Sequence, residues 1–144
     1  MAEFRRLSPD FAVAPQLTLE DIARAGAEGF GTIIKNRSEN EDPGQPSEAD
    51  IVAATKAAGM TFRALPFQGP PPPAVVAETV LIMEQSPRPI LAYCRSGTRS
   101  AMAWGMAQAL SGAAGPDEIV EAAARAGYDL SRARSALETL APKR

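Results

Sequence analysis

The strongest constraint in this sequence is an order of segments. Short β-branched or aromatic runs alternate with stretches that carry their own helix-start and helix-stop signals. Residues 30–35 (FGTIIK), 61–67 and 90–93 (ILAY) read as strands. Between them, Ser47 with Asp50 three residues on opens a helix that stops before Gly59. The proline run at 69–73 leads into a helix over 74–85, and a helix over about 100–110 follows the ILAY strand. Ahead of this pattern, residues 4–7 and 11–14 flank the turn Ser8-Pro9-Asp10 and read as a hairpin or edge pair. Thr18 with Asp21 resembles a capping box for a helix ending near Gly26 or Gly29. Pro116 opens a helix to about residue 126, and 131–140 reads as a last short one. Such alternation predicts an α/β fold, a largely parallel central sheet flanked by helices, with residues 1–144 as a single catalytic domain.

Composition removes many chemistries. The chain has no His and one Cys. Imidazole acid–base catalysis, Ser-His-Asp and Cys-His arrangements and an internal disulfide are therefore excluded, and neither a metal site nor a cofactor is expected. A net charge of −2 gives no basic field for nucleic acid. No apolar run approaches the roughly 20 residues of a membrane span, and no apolar segment follows Arg5 and Arg6 as in a signal peptide. The expectation is a cytoplasmic protein without nucleic-acid or membrane partners. The basic end, Arg132, Arg134, Lys143 and Arg144, reads as a solvated face.

The one Cys stands where chemistry is expected. In Tyr93-Cys94-Arg95-Ser96-Gly97-Thr98-Arg99-Ser100 it ends a strand and precedes a helix. In parallel sheets ligands bind outside the carboxyl ends of strands, and a loop feeding a helix N-terminus presents backbone amides to an anion. Gly97 permits the tight turn. Arg99 can grip an oxyanion through two parallel hydrogen bonds, Arg95 adds positive potential at the mouth, and this environment favours a thiolate. Ser96, Thr98 and Ser100 can bond to the sulfur or the loop; local turn bonding and helix capping explain them as well, Ser100 in particular. The expected catalytic residues are Cys94 and Arg99. Arg95, Ser96, Gly97, Thr98 and Ser100 are the expected anion-binding residues. Asn36 and Arg37 follow the strand at 30–35 and should share a sheet edge with Cys94, where Arg37 meets either the far end of an anionic substrate or Glu39 or Glu41.

The loop, Cys then four residues then Arg, resembles that of rhodaneses. The wider chain resembles the phosphatase-like domain of the beta-lactamase hydrolase-like family, with a tyrosine or dual-specificity phosphatase-like fold. The matching features are Ser8-Pro9-Asp10 with Pro15-Gln16, residues 32–37, Pro43-Gly44-Gln45-Pro46, the Cys loop and Ala126-Gly127-Tyr128-Asp129-Leu130. In that family the domain is often fused to a metallo-beta-lactamase-type persulfide dioxygenase. This His-free chain cannot hold that domain's metals, so the resemblance implies a free-standing version and a possible separate dioxygenase partner.

Two enzyme readings follow. Tyrosine-type phosphatases use His-Cys, five residues, then Arg; here Tyr93 replaces the His and Arg99 arrives one residue early. Phosphatases of this fold also supply an Asp to protonate the leaving oxygen. Residues 51–116 contain no Asp, and the segment after Phe67 reads Gln68-Gly69-Pro70. Asp42, Glu39 or Glu41 could still supply a carboxylate. On these grounds the expected function is a sulfurtransferase, with a Cys94 persulfide passing sulfur from a small anionic donor such as thiosulfate to a thiol acceptor such as glutathione. A Cys-dependent phosphatase acting on a phosphate substrate is the alternative, and a non-catalytic anion-binding or persulfide-sensing module the third. Phe67 and the proline run either wall the pocket or cover the sheet as a surface loop, the second being the expectation, and Met102 and Met106 are expected to serve core and helix packing.

Overall fold

A computed structural model describes residues 1–142. Lys143 and Arg144 of the basic end lie outside the described residues. The elements are β1 (Arg5–Ser8), β2 (Phe11–Ala14), α1 (Leu19–Ala27), β3 (Thr32–Lys35), α2 (Glu48–Ala57), β4 (Thr61–Ala64), α3 (Pro73–Gln85), β5 (Ile90–Tyr93), α4 (Thr98–Ser111), α5 (Pro116–Arg125) and α6 (Arg134–Leu140). A short 3-10 turn, Ser131–Ala133, precedes α6. The sheet order is β1-β2-β5-β3-β4. Strands β2, β5, β3 and β4 run parallel, and β1 pairs antiparallel with β2, as the hairpin signal predicted. The expected α/β architecture is therefore present.

Register is what positions the site. Tyr93 lies opposite Ala14 on one side and Lys35 on the other. The chain segments that follow β2, β5 and β3 thus leave the sheet at one level, side by side. They begin Pro15-Gln16, Cys94-Arg95 and Asn36-Arg37.

Alternate residues of the central strands feed two cores. Ile34 and Ala92 join Phe11, Trp104, Ile119, Leu130 and Leu137 on the face covered by α3–α6. Ile33, Leu91 and Tyr93 join Ile22 and Ile51 on the face covered by α1 and α2. Helix α4 lies close to its neighbours because its inner face is small. A Cβ at Gly105 would lie 3.0 Å from both Ile119 Cγ2 and Leu130 Cδ1. The capping box at Thr18 is formed in full, and Ser47 accepts from the Asp50 amide.

Two elements differ from the sequence reading. Strand β4 stops at Ala64, short of residue 67. The Leu65 amide still donates to Lys35 O at 2.8 Å, but Pro66 has no N–H to continue the ladder. Helix α4 starts at Thr98 because Gly97, at φ +97°, is its N-cap. Ser100 therefore lies inside the helix and does not cap it. Among the described residues no helix is long and apolar enough to cross a membrane. Arg134 of the basic end pairs with Asp117 and Glu138.

Ile34 is 1% exposed in a central strand. Ile34→Ala should lower unfolding free energy by about 2–5 kcal/mol in urea titration, the range for deleting a buried aliphatic side chain.

Candidate active site

Cys94 is the first residue after β5, a free thiol that is 1% exposed. The chain turns at once through Gly97 into α4. The Gly97 amide donates to Cys94 Sγ at 3.1 Å, so the sulfur already sits against a backbone donor. The outer side of the loop is tied down. Arg95 O accepts from the Gln16 amide at 3.2 Å, and Ser96 O accepts from the Tyr128 hydroxyl at 3.4 Å. Those bonds turn two carbonyls away from the sulfur, where their dipoles would repel an anion. Tyr128 packs so tightly here that a Cβ on Gly97 would meet its hydroxyl at 2.2 Å. Gly97 is thus required twice, for its left-handed backbone and for this close approach. The first-turn amides of α4 lack intrahelical acceptors, and the helix dipole adds positive potential at the same point.

Arg99 lies in that first turn. Its Nη1 and Nη2 donate to the two carboxylate oxygens of Glu41, each at 2.7 Å, and Nη1 also donates to Phe67 O at 3.0 Å. Among the described residues no oxygen accepts from Nε or from the second Nη2 hydrogen, and the Cys94 thiol lies close enough to the guanidinium to help hold its charge. Glu41 therefore holds the guanidinium by its end and leaves the side fork, Nε–H with Nη2–H, for an oxyanion. The pair is electrostatically matched. Arg99 donation holds the Glu41 carboxyl down at about 2, with the Ser38 amide and Arg37 assisting against burial. The pKa of Arg99 is raised, chiefly by Glu41, with Cys94 contributing.

The remaining predicted residues divide. Ser96 Oγ lies 3.1 Å from Thr98 Oγ1 and accepts weakly from the Thr98 amide, which is local turn bonding. Ser100 is fully buried, and its Oγ has no partner among the described residues. Arg95 is exposed, with Nε 3.6 Å from Asp42. Asn36 does lie at the predicted edge. Its Nδ2 donates to Leu65 O at 3.0 Å and its amide to Tyr93 O at 2.8 Å, so it joins β3 to its neighbours. Arg37 is 2% exposed, and its three nitrogens meet Glu41, Gln16 and Asp42. The ion-pair expectation for Arg37 describes this geometry; no edge of its guanidinium faces open solvent for a substrate. Glu39 pairs with Lys35 and accepts from the Glu48 amide.

Sequence reading missed Glu41 as the partner of Arg99, because 58 positions separate them and no spacing rule links them. Tyr128 belonged to a quoted motif without a role. Of the two readings for Phe67 and the prolines, pocket wall or sheet cover, the geometry matches the first: Phe67 O accepts from Arg99, and Pro70 and Pro71 wall a cavity beside it. An open, polar cavity of about 410 Å³ lies over the loop, lined by Glu41, Gln68, Gly69, Arg95 and Arg99. A larger one of about 490 Å³ lies at the opposite ends of the strands, against Phe11 and Ile90, and shares no residue with the loop. Among the described residues, no group of three or more His, Cys, Asp or Glu is arranged to hold a metal.

The fold is that of Cys-dependent phosphatases. It superposes on kinase associated phosphatase, solved with its catalytic-site cysteine changed to serine, with TM-score 0.73 at 14% identity, covering 100% of this chain and 97% of that one. Together with the loop geometry, this defines a phosphatase-like α/β domain built around one cysteine. Residues 3–111 match the phosphatase-like domain of beta-lactamase hydrolase-like proteins, and the chain belongs to that family. A beta-lactamase hydrolase-like protein of Agrobacterium fabrum is 31% identical over 134 residues, 92% of this chain and 31% of that protein. One from Xylella fastidiosa strain 9a5c is 27% identical over 128 residues, 88% of this chain and 30% of that protein. The chain thus spans about a third of the length of these curated relatives. A crystal structure from Neisseria meningitidis Z2491, of a protein provisionally assigned as a phosphatase, is 33% identical with TM-score 0.83, covering 94% of this chain and 96% of that one. The comparisons favour the phosphatase alternative, and the sulfurtransferase expectation drawn from loop length and the missing acid finds no support among them.

Two outcomes test the site. Gly97→Ala should lose both stability and affinity for a phosphate analogue such as vanadate, because the new methyl collides with Tyr128; thermal melts and vanadate titration read the two effects. Glu41 has a folded pKa depressed from 4.5 to about 2, so its contribution is present above 4.5 and lost as pH falls toward 2. The stability gap between wild type and Glu41→Gln should therefore be constant near neutrality and shrink across that acid window in urea melts at stepped pH.

Proposed function

We propose that this domain hydrolyses a phosphate monoester through a cysteinyl-phosphate intermediate. The observation that carries the reading is the Cys94 sulfur held against the Gly97 amide, with the Arg99 guanidinium fixed by Glu41 beside it in the same six-residue loop. In the first step Cys94 Sγ attacks phosphorus, an S–P bond forms and the ester oxygen leaves with its electron pair. In the second, water attacks the phosphocysteine, phosphate is released and the thiolate returns. The loop amides and Arg99 stabilise the charge that gathers on the equatorial oxygens. The likeness to the Neisseria protein, over nearly the whole of both chains, supports this reaction class.

Protonation of the leaving oxygen sets the substrate preference. Glu41 stays ionised at neutral pH and has no proton to give. The loop after β4 offers Gln68, not an acid. Asp42, paired with Arg37 and 3.6 Å from Arg95 Nε, is the remaining carboxylate candidate. Esters of acidic alcohols, such as phenols, need the least help and should react fastest.

One observation keeps sulfur transfer as a second reading. The same absence of an acid after β4 suits a reaction in which sulfite leaves as a stable anion. A thiol acceptor such as glutathione and a separate dioxygenase partner belong to that reading alone.

Purified protein should release phosphate from 4-nitrophenyl phosphate. Cys94→Ser should lose at least about a thousandfold in kcat. Arg99→Lys should lose about a hundredfold, as for removal of a positioned oxyanion donor. Asp42→Asn should slow alkyl more than aryl esters if Asp42 is the proton donor. Thiocyanate formed from thiosulfate and cyanide, without phosphate release from the aryl ester, would reverse the assignment.

A further inference from the structure

The polar cavity over the Cys loop has an apolar neighbour that the reaction chemistry does not use. This second cavity, about 350 Å³, is walled by Pro70 and Pro71 on one side, Met102 and Met106 on another, and Arg132 and Ala136 at its far end. Its volume falls near the lower end of ligand pockets, which run from about 300 to 1,000 Å³. Gly69 and Arg99 line both cavities, so the two adjoin at those residues. Met102 and Met106 are one helical turn apart and share a face of α4. Both are half-buried, packed inward on the core yet bordering the cavity. Unbranched thioether side chains adapt to a variable apolar guest. The proline wall is stiff, so the pocket loses little conformational freedom when filled.

We propose that this cavity is the leaving-group subsite. The substrate class is a phosphate monoester of an alcohol with an apolar body, alkylated or aromatic, seated between the prolines and the two methionines while its phosphate occupies the Cys94 loop. The inference rests on the phosphatase reading for the reaction, and on geometry alone for the pocket. Adjacency to the loop cavity selects this occupant: Arg99 borders both cavities, so an ester whose phosphate is held by Arg99 has the apolar cavity next to it for its alcohol. A polar alcohol would gain nothing from that side.

Phenylphosphonate and 4-butylphenylphosphonate separate the two halves of the site, because neither can be hydrolysed and they differ only in apolar length. Calorimetry on the intact protein should show the butyl compound binding at least about tenfold tighter, a fraction of the maximum that burying the whole butyl chain would give. Ala136→Trp, at an exposed position on α6 at the far end of the cavity, should fill that end and reduce the ratio to within about twofold, weakening the butyl compound far more than phenylphosphonate. Pro70→Asp, also at an exposed position, should do the same by charging the wall, and guards against a folding fault in the first variant. Equal binding of the two phosphonates to wild type, no binding of either, or a butyl gain that survives both substitutions would overturn the subsite. Phenyl phosphate turnover, followed in parallel, reads the reaction separately. Binding gain without turnover removes the phosphatase reading and keeps the pocket; turnover without the gain removes the pocket alone.

Discussion

The site depends on the two-pronged ion pair between Arg99 and Glu41. It joins the N-terminus of α4 to the loop after β3, and the Arg99 bond to Phe67 O brings in the segment after β4. Arg37, almost wholly buried, extends the same network to Asp42 and to Gln16 after β2. Four segments leaving one edge of the sheet are thereby held in fixed relation. Charges this deep must remain partnered: removing one member leaves another uncompensated, at a cost of about 3–5 kcal/mol where burial is complete. Fixing Arg99 from behind also aligns its unused edge before any substrate arrives, which is the state that electrostatic stabilisation requires.

A second constraint acts through the backbone. An anion cradle works only if its carbonyls point elsewhere, and here Gln16 and Tyr128 hold two of them outward. Gly97 completes the turn and places its amide on the sulfur. Nucleophile, amides and guanidinium therefore come from six consecutive residues, while what orients them comes from positions 16, 41, 67 and 128. The chemistry is local in the chain and its precision is not.

Local signals read well where local physics decides. The Thr18 and Ser47 caps, the ILAY strand and the hairpin at Ser8-Pro9-Asp10 are set by hydrogen bonds within a few residues. The start of α4 was misread by two residues because Gly97 caps through its left-handed backbone and not through a side chain. Strand β4 was overextended because its apolar alternation continues past Pro66, where the ladder cannot. The prolines and methionines beside the loop carry no chemical signal of their own, and only their placement around one cavity gives them a role. The preference for sulfur transfer came from the short spacing between Cys94 and Arg99, from Tyr93 in place of His and from the missing Asp in residues 51–116; the fold and the relatives point to phosphatases, since a loop's length does not fix which anion its amides fit.

The sequence alone determined the element order and the parallel sheet and singled out Cys94 and Arg99 as the candidate pair, because strand periodicity, caps and a lone cysteine before a helix are written within short windows. Tertiary structure alone decided that Glu41 grips Arg99 end-on, that Arg37 is buried scaffolding, that Tyr128 braces the loop, and that an apolar cavity adjoins the anion site. Those contacts join residues up to 58 positions apart, and packing, not spacing, brings them together.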